Sequence, residues 1–310
     1  MALDPELQVF AGFRLPDFAD IHGVRQWERA LAANAPAVDP ALAAGVAHED
    51  FEIPGPAGAP AVPVRLYRPD ASARCPVLIY FHGGSFLMGG LDTDHRACLR
   101  YASGAGCAVL SVDYRLAPEH PFPAAVEDAY AALCGVADGG GELGLDTGRI
   151  ALGGSSAGAT LAAGTALMAR DRRGPVVCHQ LLVHPALDDR LSSDSMNAAG
   201  QDYGVNRQVV SEMWRHYLAA DPAAAVSPYA APARCQDLAG LPAAYVETGE
   251  LDPLRDEAME YAARLLHGGV SVDFHLFAGA PHSFDMVADA AVSRQAFASR
   301  VLALRRAFAR

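Results

Sequence analysis

The chain is predicted to be an α/β protein: a mainly parallel central sheet flanked by helices, with a helical cap. Three features of the pattern lead there. Short, continuously apolar runs alternate with helical stretches from about residue 49 to 184 and again after 243, as in a sheet buried on both faces. The alternation stalls between about residues 188 and 228, in a segment rich in Ser, Asp and Asn. The chain also opens on amphipathic helices instead of strands, and these pair with the stalled segment to form the cap.

Asp4-Pro5-Glu6 starts the first helix, with Asp4 placed to cap free N–H groups and Pro5 at a first helical position. After Leu15-Pro16-Asp17 a second helix is expected over 21–34, and Asp39-Pro40 opens a short third. Residues 51–53 and 62–67 read as strands around a Pro/Gly turn at 54–60. Strands at 77–81, 107–112, 149–153 and 176–184 then alternate with helices at 94–103, 124–136 and 157–170. The stalled segment holds one helix, carrying Val209, Met213, Trp214 and Tyr217. A strand at 243–246, a helix at 253–266, a strand at 270–277 and a last helix complete the pattern. The boundaries that follow are 1–45 for the N-terminal part of the cap, 189–225 for its inserted part, and 46–188 with 226–310 for the core.

With 310 residues, 51% of them hydrophobic, the chain can bury a large core. A formal charge of −12 argues against nucleic acid and against a polybasic membrane patch, and reads as a solubility feature. The six cysteines form no CxxC pair, so neither a zinc site nor a disulfide framework is expected. Met1-Ala2-Leu3-Asp4-Pro5-Glu6 lacks the pattern of a signal peptide, and no apolar run is long enough to span a bilayer. A cytoplasmic protein without stable membrane association is expected.

Gly153-Gly154-Ser155-Ser156-Ala157-Gly158 lies where a strand ends and a helix begins. Gly154, Ser156 and Gly158 fit the G-x-S-x-G nucleophile elbow, in which a strained central Ser needs neighbours without bulk two places away. The elbow lifts the hydroxyl clear of the sheet and aims N–H groups at a developing oxyanion. A phosphate-binding turn is the competing reading, but there is no G-x-G-x-x-G register and no Lys after Gly158.

His82-Gly83-Gly84-Ser85-Phe86 directly follows the strand at 77–81. Its glycine pair lets the backbone approach a substrate closely, as in the HGGG-type loop that supplies half of an oxyanion hole, here with Ser85 at the third small position. Gly83, Gly84 and Ala157 are the expected donors, and His82 braces the loop.

A serine nucleophile needs a base, and the base an orienting acid. In the chain order Ser, acid, His, Asp252 follows the strand at 243–246 and His282 the strand at 270–277, both at the sheet end that carries the elbow. An imidazole base predicts activity lost on acidification, as the ring takes a proton. Glu250 is the rival acid. Asp256 should lie a turn into its helix. His275 lies inside a strand, His184 could orient a loop, and His120 and His267 read as structural.

These motifs come with Asp113-Tyr114-Arg115-Leu116-Ala117-Pro118-Glu119-His120-Pro121-Phe122-Pro123-Ala124, Asp252-Pro253-Leu254-Arg255-Asp256-Glu257 and His282-Ser283-Phe284. Together they resemble bacterial esterases related to hormone-sensitive lipase, in the α/β-hydrolase superfamily, over most of the chain beyond residue 45. Two positions depart from the family: Ser155, where Asp or Thr is usual, and Gly158-Ala159, where a Gly pair is common. The resemblance implies an α/β-hydrolase fold with a helical cap, and hydrolysis of short-chain carboxylic esters without metal or cofactor. It further implies a scaffold role for residues 114–123 and, as in many relatives, a homodimer. Phe86, Met88, Tyr203, Trp214, Tyr217 and Phe284 are candidates for an apolar pocket wall. Amide or thioester hydrolysis by the same groups stays open. Plant gibberellin receptors resemble this family but lack the catalytic His, so His282 argues against a receptor here.

Overall fold

The computed structural model describes residues 1–34, 38, 40–69, 74–200, 202–219 and 225–309. Asp4 accepts a hydrogen bond from the Glu6 N–H and opens a helix over Pro5–Phe10, which takes the tighter 3₁₀ form. Next come β1 (Phe13–Arg14), α1 (Ile21–Ala33) and α2 (Pro40–Ala43). Asp20 caps α1 by accepting from the Gly23 N–H. The expected start of the third helix at Asp39 lies outside the described residues.

The core runs β2 (Val46–Ile53), β3 (Val62–Pro69), β4 (Cys75–Phe81), α3 (His95–Ala105), β5 (Ala108–Val112), α4 (Ala124–Gly139), β6 (Leu145–Ser155), α5 (Ala157–Asp171) and β7 (His179–Val183). The inserted segment then contributes α6 (Asp194–Ala198), β8 (Tyr203–Gly204) and α7 (Arg207–Leu218). The chain returns to the sheet with β9 (Ala243–Gly249), α8 (Arg255–His267), β10 (Val272–Phe277) and α9 (Ala291–Phe308). The single helix expected in the insertion is therefore accompanied by a second, α6, whose start is capped by Ser193 accepting from the Met196 N–H.

The eight-stranded sheet has the order β10-β9-β7-β6-β4-β5-β3-β2. Every pairing is parallel except those of β3 with β2 and with β5. Strands β4 and β5 are buried along their whole length, which is why they read as apolar runs, broken in β5 only by Ser111. The N-terminal and inserted segments are joined by a small sheet of their own, with Phe13 paired to Tyr203 and Arg14 to Gly204. Arg25 of α1 fastens the N-terminal part to the core. Its guanidinium donates to both Glu119 oxygens and to the Leu87 and Ala117 carbonyls. That pairing holds the Glu119 carboxyl down at about 2.

The order of the strands places the site. From β4 the chain goes to β5 on one side and then returns to β6 on the other, so the carboxyl ends of β4 and β6 flank a switch point, where such sheets bind ligands. Phe81 is in register with Gly154, which brings the His82-Gly83-Gly84 loop beside the elbow.

Candidate active site

The elbow turns as its glycines require. Ser156 sits at φ 52°, ψ −119°, a strained conformation for a residue with a side chain. A Cβ on Gly154 would lie 2.4 Å from the Gly158 carbonyl carbon, and one on Gly158 would lie 2.0 Å from the Phe81 oxygen. Both contacts are with backbone, so no side chain could move aside to accommodate them. The Ser156 N–H donates to the Val183 carbonyl, which fixes the turn against β7.

From there a line of hydrogen bonds crosses three loops. Ser156 Oγ is 3.0 Å from His282 Nε2, and His282 Nδ1 is 2.8 Å from Asp252 Oδ2. The other oxygen of Asp252 accepts from the Leu254 N–H. Asp252 and His282 are both buried, so their bond is shielded from water.

Beside the hydroxyl lie the backbone donors. The N–H groups of Gly84 and Ala157 have no acceptor among the described residues; Ala157 opens α5, where the helix supplies none. Gly83 differs, because its N–H donates to Asp94 Oδ2 over a long 3.3 Å. Ser155 Oγ donates to the same oxygen, also over 3.3 Å. Burial pushes the Asp94 carboxyl up, and these two donors only partly offset it. The loop is further shaped by Ser85 and Phe86, consecutive residues at φ 58° and 60°. His82 braces it: Nδ1 contacts the Gly83 carbonyl at 2.7 Å, the ring stacks on Tyr114, and Tyr114 Oη donates to the His82 carbonyl.

The rival residues are placed elsewhere. Glu250 accepts from the Gly279 N–H, and Asp256 from the Ser195 N–H at the start of α8. The His275 ring stacks on Tyr245 within the sheet. His120 and His267 are exposed.

Of the six residues considered for a pocket wall, three come together. Phe86 stacks on Tyr217 with ring centroids 3.7 Å apart, and Trp214 lies 6.1 Å from both. Met88 packs with Phe18, Val24 and Leu87. It also borders an open groove of about 440 Å³ with Arg25, Glu28 and His120. Tyr203 and Phe284 join a separate cluster with Leu7, Phe10 and Phe277.

His184 stands closer to the site than its sequence context suggested. It is buried, and its ring meets that of His282 edge-on at 5.0 Å. Burial lowers its pKa to about 4, assisted by His282 and Arg300 and opposed by Asp285 and Glu247. Between about pH 6.5 and 4 the unfolded chain binds a proton at this ring that the folded protein does not, so stability falls as pH drops through that window. The contribution is on the order of 3 kcal/mol at full extent. Urea unfolding across that range should show a shallower pH slope in His184→Asn than in the wild type; parallel slopes would remove His184 from the account. Glu257, quoted in the sequence only as the end of a motif, is given a role by the structure: its buried carboxyl, pushed up by desolvation, accepts from the Leu187 and Asp188 N–H groups and shapes the turn after β7.

The fold is one that hydrolases share, and the comparisons with known proteins show the family. A family model described as alpha/beta hydrolase fold matches residues 78–286, and the chain belongs to this family, among its hormone-sensitive-lipase-like esterases. It is 44% identical over 235 residues to Esterase LipI of Mycobacterium tuberculosis, covering 73% of this chain and 71% of that protein. It is 34% identical over 299 residues to Arylesterase of Saccharolobus solfataricus, covering 91% and 94%. The solved structure of Bacterial Heroin Esterase superposes with a TM-score of 0.92 at 42% identity, covering 99% of this chain and 98% of that one. The protein is a carboxylic ester hydrolase. No helix among the described residues is long and apolar enough to cross a membrane.

Proposed function

We propose that the protein hydrolyses short-chain carboxylic esters by two-step acyl transfer through Ser156, His282 and Asp252. Ser156 attacks the ester carbonyl while His282 takes its proton. Asp252 holds the imidazole tautomer and stabilises its positive form. The N–H groups of Gly84 and Ala157 stabilise the oxyanion, and Gly83 joins them to the extent that its long bond to Asp94 gives way. His282 returns the proton to the leaving alcohol, then activates a water that releases the acid. The observation that supports this reading most strongly is the unbroken line from Ser156 Oγ through His282 to Asp252; the elbow and the loop beside it offer two N–H groups, those of Ala157 and Gly84, with no acceptor among the described residues. The esterase names of the relatives favour esters over amides and thioesters.

In the same reading, residues 1–45 and 189–225 form a cap that sets acyl preference and takes no part in the chemistry. Trp214 and Tyr217 are three residues apart on α7, hence on one face, and pack on Phe86 of the oxyanion loop. Trp214→Ala is expected to change the ratio of kcat/KM for a butanoate and an octanoate ester, with roughly 1–3 kcal/mol at stake per contact set lost. Burial of this side chain also makes the variant less stable, by about 3–5 kcal/mol. The assay therefore belongs well below the melting temperature, with a graded panel of esters. An unchanged ratio in the folded variant would leave Trp214 as packing only.

A further inference from the structure

Behind His282 lies a charged cluster that the proposed chemistry does not use. Arg300 of α9 is 2% exposed, yet it carries a guanidinium into the core. Its Nη1 donates to Asp285 Oδ2 at 2.7 Å, and its Nη2 pairs with Glu247 Oε1. Glu247 is fully buried on β9, and its second oxygen accepts from Tyr245 Oη at 2.6 Å. Its backbone carbonyl accepts from the His184 N–H. His184 Nε2 in turn lies 3.7 Å from Asp285 Oδ1, while its ring rests edge-on against His282.

The connectivity gives this cluster its meaning. Asp285 is three residues beyond His282 on the loop that leaves β10, and Glu247 is on the strand whose following loop carries Asp252. The two residues that must meet, His282 and Asp252, therefore come from separate loops, and one guanidinium grips a carboxylate belonging to each side. A buried ion pair adds little net stability, because desolvation offsets most of its attraction. What it does fix is geometry: the guanidinium is planar, always charged, and holds carboxylates in set directions. A lid or a hinge would not call for such a device, whereas a base that must stay in line with its acid does.

We propose that Arg300 is a positioning residue for ester hydrolysis, holding the His282 loop through Asp285 in register with the Glu247 strand that leads to Asp252, with His184 as the spacer behind the imidazole. The proposal rests on the reading of Ser156, His282 and Asp252 given above. Misplacing catalytic groups by about an ångström costs on the order of a hundredfold in rate, while a substrate pocket elsewhere is untouched. The loss therefore falls on kcat and spares KM.

The test compares the full-length wild type with Asp285→Asn, Arg300→Met and Arg300→Lys. Reactive sites are counted by labelling to completion with a fluorophosphonate, and kcat per labelled site and KM are measured on p-nitrophenyl butanoate. Asp285→Asn and Arg300→Met are expected to lose roughly ten- to a hundredfold in kcat per labelled site with KM within about twofold, and Arg300→Lys to lose less than Arg300→Met. Asp285 is partly exposed and Asn has its shape, so that variant carries the test if Arg300→Met does not fold. A kcat per labelled site within about threefold of wild type in Asp285→Asn, or a loss carried by KM, would overturn the proposal. Fewer labelled sites that each turn over at the wild-type rate would also overturn it, since the cluster would then serve stability alone. Absence of a Ser156 adduct in the wild type would instead sink the reading on which the proposal rests.

Discussion

Ser156→Ala is expected to lower kcat on a short-chain ester by roughly a thousandfold or more, leaving only what oxyanion donors and substrate binding supply. The fold should be unaffected. Among the described residues Ser156 Oγ bonds to His282 Nε2, and the elbow is held by the Ser156 N–H on the Val183 carbonyl, which the substitution keeps. Near-UV circular dichroism and the melting temperature should match the wild type within error. Ser155→Ala is the informative neighbour. Ser155 Oγ donates to Asp94 and makes no bond to His282, so this variant should keep most of its activity. If Ser155→Ala were the inactive one, the elbow would be read one residue out of register.

His282→Ala should be about as inactive, because groups that act as a unit lose nearly everything when any one is removed. His275→Ala should stay close to the wild type, since that ring stacks on Tyr245 within the sheet. In the wild type, kcat/KM should fall on acidification, as an imidazole base is lost when it takes a proton. A rate that stays flat well into the acidic range would exclude a histidine base. The stability loss expected from His184 in the same range is a separate effect, and measuring initial rates on enzyme pre-incubated at each pH and returned to neutrality tells them apart.

Much of the site could be read in the sequence because its parts are local. The elbow needs glycines at fixed offsets from Ser156, and the contacts a Cβ would make at Gly154 and Gly158 give the reason. The glycine pair after β4 follows the same logic. Asp252 and His282 could be reached because each follows a strand, and a parallel sheet collects such loops at one end. Element edges were less legible. β6 begins at Leu145 and β2 at Val46, each earlier than the apolar runs suggested: β2 is paired to β3 along its whole length, and Leu145 pairs with Cys75 across an irregularity in register ahead of the run from Ile150. β7 begins only at His179, and Val176, expected within it, is 80% exposed.

What the sequence did not reveal depends on contacts between distant elements. Arg300, Glu247, Asp285 and His184 come from α9, β9, the turn after β10 and the end of β7. Nothing in the sequence marks Arg300 as the buried one among the four arginines of α9, and a Glu inside an apolar strand reads as an exception until its partner is known. The bond from the Gly83 N–H to Asp94 was hidden in the same way, since the two lie eleven positions apart along a loop. Of the pocket-wall candidates, Phe86, Trp214 and Tyr217 come together, whereas Tyr203 and Phe284 join the cluster that holds Leu7 and Phe10 of the N-terminal segment.

The most direct test of the central claim is to inhibit the protein with a fluorophosphonate and map the modified peptide by mass spectrometry. The mechanism requires one adduct per chain on Ser156, formed only while His282 is intact and blocked by a competing short-chain ester. An adduct on Ser155 or elsewhere, or full esterase activity with Ser156 unmodified, would contradict it.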